Sequence, residues 1–243
     1  PIHGDICLQG LPALVVRLPE YRRTQHISQL GLVQTRFPHA SHSRFVHGVG
    51  CAHLCQQWLR RLLTPELKLL GSIPKERVRE LLITAALCHD IGHLAFSHMH
   101  DYGVNGFDHV KFGCLLLARM AQRHALKLQL KPMEVKFIQA AIKGKTTEDC
   151  EPWMAAMIAG PVDVDRMDYV QRDLTMAGVI RPNAPIFQCV QRLMRSAKID
   201  TRTRELRFPY QEKANVKRLV NLRRRVHTMI VRSPRAQGMN LLM

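Results

Sequence analysis

No run of eighteen apolar residues occurs in the 243-residue chain, which excludes a hydrophobic membrane-spanning helix. No C-x-x-C pair occurs either, and the cysteine count is odd: Cys7, Cys51, Cys55, Cys88, Cys114, Cys150 and Cys189. That argues against a disulfide framework and against a cysteine-built zinc site. The thiols read as buried and free, in a reducing intracellular setting: cytoplasm, nucleus or an organelle matrix such as the mitochondrial one. No signal-peptide pattern opens the chain, and its first residue is Pro1 rather than Met, as after removal of a leader. Internal repeats, low-complexity stretches and a convincing linker are all lacking. The expectation is one domain over residues 1–232 and an irregular tail over 233–243.

Acidic residues are scarce. Nineteen Asp and Glu stand against thirty-six Lys and Arg, a net charge of +17. Such a balance favours a polyanionic partner: nucleotide phosphates, RNA or DNA, or a ribonucleoprotein surface. The excess lies late, with fourteen basic and three acidic residues between Arg192 and Arg235. A solvated basic surface accounts for that segment as well as a phosphate-binding one does. Histidine is distributed the other way: eleven of thirteen fall at or before His109.

The apolar pattern is mostly helical. Val46, Val49, Leu54, Trp58 and Leu62 recur at intervals of three to five residues and predict a helix over 46–63. Gly71-Ser72-Ile73-Pro74 punctuates, with Ser72 and Pro74 as start signals for a helix running to about Asp90. Further helices are predicted over 107–126, from Pro132 to Gly144, from Pro152 to Ala159, from Pro161 to Ala177, to about Ser196, and over 211–232. Between the last two, residues 197–209 lose the helical period, and Ile199, Leu206 and Phe208 suggest a small hairpin. The fold class is all-α, a single helical bundle with a small β-hairpin.

The most telling stretch is Leu87-Cys88-His89-Asp90-Ile91-Gly92-His93. A histidine and an aspartate beside Leu, Ala and Cys are costly to bury unless something compensates their charge. An imidazole nitrogen and a carboxylate oxygen are two ligand types for one divalent ion. Neighbours on a helix point about 100° apart, so both reach one ion only where the helix ends, and Gly92 is where it should loosen. Further ligands must come from elsewhere. His47 opens an earlier helix. Asp165, Tyr169 and Asp173 are spaced by four and share a face too polar for packing alone.

These blocks carry a resemblance. Pro1-Ile2-His3-Gly4, Gln29-Leu30-Gly31, Ser41-His42-Ser43-Arg44-Phe45-Val46-His47, His89-Asp90-Ile91-Gly92-His93, Phe96-Ser97-His98-Met99 and the run Asp163 to Asp173 are similar to the HD-domain phosphohydrolases. Most closely the chain resembles the deoxynucleoside triphosphate triphosphohydrolases of the sterile-alpha-motif/HD type. The resemblance implies an HD-domain bundle and one divalent ion (Mg, Mn, Fe or Zn) on His47, His89, Asp90 and Asp165. It implies acid/base roles for His93, His109 and Asp101. It implies contacts to sugar and phosphates from Gln29, Leu30, Arg44, Arg166, Tyr169 and Asp173. The activity implied is attack at the α-phosphorus of a deoxynucleoside triphosphate, releasing deoxynucleoside and inorganic triphosphate. Some association of copies or a place in a complex is also implied.

The chain departs from that pattern at several points. Arg17 stands where the family has an acid that reads a guanine activator, and Gln25 where an activator-binding Arg is usual. Arg166 replaces Lys, keeping charge and changing geometry. The connection from Asp90 to Asp165 is short. Leu222 to Thr228 matches the family loosely, Val231 stands in place of a substrate-contacting Tyr, and these residues contain no sterile-alpha-motif sequence. Guanine-nucleotide activation is therefore expected to be lost. His3, His26, His39, His42 and His53 read as structural or exposed, and Asp163 and Asp168 as helix-start charges favoured by the dipole. Two alternatives stay open: an HD-fold scaffold or nucleic-acid-binding subunit, and a phosphohydrolase of nucleoside monophosphates or cyclic nucleotides. The nucleic-acid alternative predicts an affinity that falls steeply with salt and survives His89→Ala combined with Asp90→Ala; filter binding across a salt series checks it.

Overall fold

In the computed structural model residues 2–95 and 107–231 are described. Asp101, His98, His100 and the tail over 233–243 lie outside them. Two short helices, α1 (Gly10–Val15) and α2 (Pro19–Arg22), precede the first strongly periodic segment. They are too short for an apolar period to show, and they form because Leu11, Val15 and Tyr21 bury against the bundle.

Helix α3 (Arg44–Leu62) is the central element. Its buried stripe runs through His47, Cys51, Leu54, Cys55, Trp58 and Leu62, so His47 occupies a core position one turn ahead of the hydrophobes. Helix α4 (Lys75–Cys88) buries Val78, Leu81, Leu82, Ala85 and Ala86 against α3. Ser72 does not cap α4 as the sequence suggests. Pro74 holds the cap position, and Ser72 donates its backbone N–H and its hydroxyl to Asp149.

Helix α5 (His109–Arg123) is capped by the Asp108 carboxylate, which accepts from the backbone N–H groups of Val110 and Lys111. A one-turn helix, α6 (Ala125–Leu128), follows. Then come α7 (Pro132–Ile142), α8 (Pro152–Ala159) and α9 (Val164–Met176), two of them opened by proline at a first-turn position. Helix α9 packs across α3. Helix α10 (Pro185–Ser196) leads into the hairpin, where β1 (Lys198–Ile199) pairs antiparallel with β2 (Leu206–Arg207), Ile199 opposite Leu206. Helix α11 (Lys213–Arg225) follows, and it widens into a π-type turn over Val226–Val231. The observed architecture is all-α with one small hairpin.

Six of the seven thiols are buried and free; Cys7 corrects the expectation, because it is exposed. Among the described residues no helix is long and apolar enough to cross a membrane.

Glu134, nearly buried at the start of α7, accepts from Arg77 on α4 at 2.6 and 3.0 Å and from the Lys131 backbone at 2.8 Å. Burial alone would raise its pKa, but Arg77 and that backbone N–H hold it below the ordinary glutamate value. A carboxyl with a depressed folded-state pKa stabilises above its unfolded pKa, and the contribution fades as pH falls toward the folded value. The wild type should therefore exceed Glu134→Gln by about 1 kcal/mol at pH 7 and lose that advantage below about pH 4, measured by urea melts across pH.

Candidate metal centre

The site is built where α4 runs out. The helix stops at Cys88, and a turn follows in which Ile91 N–H donates to Cys88 O and His93 N–H to Asp90 O. The turn lets His89 and Asp90 face the same side. It is held from outside by Arg23, which donates to the carbonyls of Ile91 and His93. Gly92 is required by close approach rather than by its torsions: a Cβ there would overlap the His109 carbonyl and the backbone of Gly113.

His47 from α3, His89 from this turn and Asp165 from the first turn of α9 converge. His47 Nε2 lies 3.1 Å from Asp165 Oδ1 and 3.3 Å from His89 Nε2, and His89 Nε2 lies 3.5 Å from Asp165 Oδ1. Asp90 joins them, with Oδ1 3.5 Å from His89 Nε2 and Oδ2 3.7 Å from His47 Nε2. Donor atoms about 2.0–2.2 Å from one ion stand roughly 3.0–3.5 Å apart, so the residues fit a single first-row or magnesium-sized cation.

The tautomers strengthen the fit. His47 Nδ1 is 2.8 Å from the Asp168 carboxylate, and His89 Nδ1 is 2.8 Å from the Ala86 carbonyl. An ionised carboxylate and a carbonyl only accept, so both imidazoles carry their proton on Nδ1. Both Nε2 lone pairs then point at each other and at Asp165. Three acceptors this close repel unless a cation or a proton sits among them. Burial works against charge on His47, yet Cys51, Asp165 and Asp168 raise its pKa well above the ordinary imidazole value. Asp165, despite burial, is pulled below the ordinary carboxylate range by His47 and His89.

Behind His47 stands Asp168, with no exposed surface. Its Oδ2 accepts from His47 Nδ1 and from Arg172 Nε at 2.7 Å; its Oδ1 accepts from Arg172 Nη2 at 2.8 Å and from His3 Nε2 at 2.6 Å. Burial opposes the charge, and Arg172 outweighs it, holding the carboxyl well below its ordinary value. Asp168 is therefore not the helix-start charge its place in the chain suggests but a buried carboxylate that anchors His47. Asp163 does cap α9, accepting from Arg166 N–H at 2.8 Å.

Cys51 also lies beside the cluster, and its spacing from His47 was not a signal the sequence reading used. Its sulfur is 3.6 and 3.7 Å from the two ring nitrogens of His47. Near-equal distances put it against the ring rather than on a lone-pair axis.

A second group adjoins the first. His93 and His109 stack with centroids 4.0 Å apart, and His93 Nε2 lies 3.5 Å from Asp90 Oδ1. Burial and then Arg44 push the His93 pKa down to about 3. Arg44, expected to meet phosphate, is itself buried and pairs with Asp90. Gln29 and Leu30 lie beside the start of α3, where Gln29 N–H donates to His42 O at 3.0 Å. Arg166 bonds Gly160 O and Asp163 at the open edge. Tyr169 is edge-on to His227, centroids 6.5 Å apart, and its phenol is raised by burial and Asp165, opposed by Arg223 and Arg166. Asp173, placed with Asp165 and Tyr169 by spacing, is buried and bonds His42 Nε2 at 2.7 Å. Arg223, whose charge acts on the Tyr169 phenol, and His227, beside its ring, are not among the residues expected from the sequence, because α11 matches the family weakly; the basic run Arg223-Arg224-Arg225 was the available signal.

The fold and this constellation define a class. The HD domain family model matches residues 44–173, and the chain belongs to that family. Among curated relatives it is 30% identical over 209 residues to the deoxynucleoside triphosphate triphosphohydrolase SAMHD1 homolog of Dictyostelium discoideum, covering 82% of this chain and 38% of that protein. It is 31% identical over 222 residues to deoxynucleoside triphosphate triphosphohydrolase SAMHD1 of Danio rerio, covering 74% and 33%. The chain thus spans about a third of the length of these relatives. A crystal structure of a phosphohydrolase from Bacteroides thetaiotaomicron shares the fold, with a TM-score of 0.82 and 23% identity over 99% of this chain and 56% of that one.

Gly92→Ala should destabilise the protein by about 1–3 kcal/mol, because the new methyl meets backbone rather than a flexible side-chain tip. The HD turn should shift with it, so affinity for Mn²⁺ should fall as well. Thermal melts and metal titration of the same variant check both.

Proposed function

We propose that this HD domain hydrolyses deoxynucleoside triphosphates to deoxynucleoside and inorganic triphosphate, without guanine-nucleotide activation. The observation that carries the reading is the convergence of two Nε2 lone pairs and the Asp165 carboxylate, flanked by Asp90, next to the stacked pair His93 and His109. His47, His89, Asp90 and Asp165 would hold one divalent ion, which supplies Lewis-acid polarisation of a phosphoryl oxygen and acidifies water. The relatives' names, which give deoxynucleoside triphosphates as what those proteins act on, support the choice of substrate.

The chain's own residues take the remaining roles. Arg166, at the open edge of the site, and His227, edge-on to Tyr169, orient an anionic triphosphate, and the positive charge of Arg223 adds to the field at the same phenol. Tyr169 offers a flat, half-buried ring against the sugar, and Gln29 and Leu30, beside the start of α3, are the residues proposed to read it. His109 supplies the proton for the leaving 5′-oxygen, and His93, held neutral by burial and Arg44, stacks against it, with Asp101 taking the orienting role that the resemblance implies. Arg44 fixes the Asp90 carboxylate and balances its charge. Exposed Arg17 and Gln25, in place of an acid and an arginine, support the loss of activation, since a cation repels the ring N–H face of guanine that an acid would accept.

Purified protein with Mn²⁺ or Mg²⁺ and each deoxynucleoside triphosphate should yield deoxynucleoside and triphosphate by chromatography and ³¹P NMR, with no stimulation by guanosine triphosphate. Asp165→Ala should lower the rate on the order of a thousandfold, as loss of several kcal/mol of electrostatic stabilisation requires. A nucleoside monophosphate, or diphosphate plus phosphate, as product would replace this reaction with another.

A further inference from the structure

The N-terminal segment reaches the centre of the domain through one side chain. We propose that His3 is a positioning residue for the metal centre, acting through Asp168 on His47. This rests on the reading of the His47 cluster as a metal site.

The geometry is a closed set. Among the described residues, four donors address the two Asp168 oxygens, two on each. Arg172 comes from the same helix and His47 from α3. His3 is 165 positions away in sequence, and its Nε2 makes the shortest of the four contacts, 2.6 Å. The side chains of His3 and Arg172 are 8% and 4% exposed, and that of Asp168 is wholly buried. Without His3, Oδ1 keeps one partner, and the carboxylate is free to turn toward the guanidinium. Oδ2 then leaves the axis of the His47 Nδ1–H bond, and the imidazole loses what fixes its orientation and its Nε2 lone pair. Partners that hold a ligating histidine typically change metal affinity about ten- to a hundredfold.

Two further features favour docking of this segment. Gly4 has φ +67°, a left-handed conformation, with open space where a Cβ would be, so the turn after His3 depends on backbone freedom rather than on crowding. Gly50 on α3 leaves the volume that Asp168 and Arg172 occupy; a Cβ there would overlap both.

The test uses the whole chain with metal alone and no nucleotide. Mn²⁺ affinity is measured by calorimetry or chelator competition for the wild type, His3→Ala and His3→Gln, alongside apo-protein melting curves. The ring-nitrogen tautomer of His47 is read by ¹⁵N NMR. The expected result is a Kd about ten- to a hundredfold weaker for His3→Ala, with His47 losing its single Nδ1–H tautomer. His3→Gln, whose amide N–H reaches the same oxygen, should recover most of the affinity. An unchanged Kd in His3→Ala overturns the proposal. So does a folded His3→Gln that loses as much as His3→Ala, since a purely structural role would not respond to a replaced donor. Where His3→Ala fails to fold, the His3→Gln result decides. A wild type that takes up no metal overturns this proposal and the metal reading together. Metal uptake that depends on His3 without nucleotide hydrolysis supports it and overturns only the proposed reaction.

Discussion

The buried carboxylate of Asp168 is the constraint on which the site depends. Isolated in the interior, it would cost several kcal/mol; saturated by Arg172, His3 and His47, it is held ionised. Removing one partner of such a group typically costs about 3–5 kcal/mol, because the other charge stays buried. That cost ties three remote segments together: residues 2–4, the start of α3 and the middle of α9. It also sets the tautomer of His47, and the tautomer decides that an Nε2 lone pair faces Asp165 and His89. Stability and ligand geometry rest on the same four hydrogen bonds.

Charge is divided in a way the net value hides. The late segment is strongly basic, yet many of its cations are engaged. Arg204 bonds Glu151 at 2.7 Å, Arg207 pairs with Asp200 at 3.2 Å, and Arg192 with Glu212 at 3.5 Å. The buried Arg204–Glu151 pair staples the hairpin loop to α8, where Trp153 N–H also reaches Arg204 O. Arg223, by contrast, acts through its charge on the Tyr169 phenol, and the π-type turn that follows α11 carries His227, edge-on to the same ring.

Much of the fold was legible because apolar spacing and helix punctuation are local. The buried stripe of α3, the proline starts of α7, α8 and α10, and the hairpin around Ile199 and Leu206 all follow from neighbours a few positions apart. The short α1 and α2 were not legible, since four or six residues hold no period and their burial comes from distant helices. Ser72 misled for a related reason: a serine before a helix suggests a cap, but the helix opens two residues later behind Pro74, and Ser72 donates to Asp149, seventy-seven positions on. In the site, His89 and Asp90 stood out as polar residues closing an apolar helix. Asp168 looked like one of several acids in the first turns of α9, and its burial against His3 and Arg172 has no local mark.

The sequence by itself determined the helical class, the element order, and the residue types able to bind a divalent ion, because those depend on side-chain chemistry and short-range periodicity. Its similarity to HD domains named the candidate ligands. Only the tertiary structure decided which histidine nitrogens carry protons, that Asp168 rather than solvent stands behind His47, that Asp173 spends its carboxylate on His42, and that His227 approaches Tyr169. Those are facts about contacts between segments far apart in the chain. A buried charge or lone pair takes its state from whichever groups the packing brings within about 3 Å, and no local pattern encodes that.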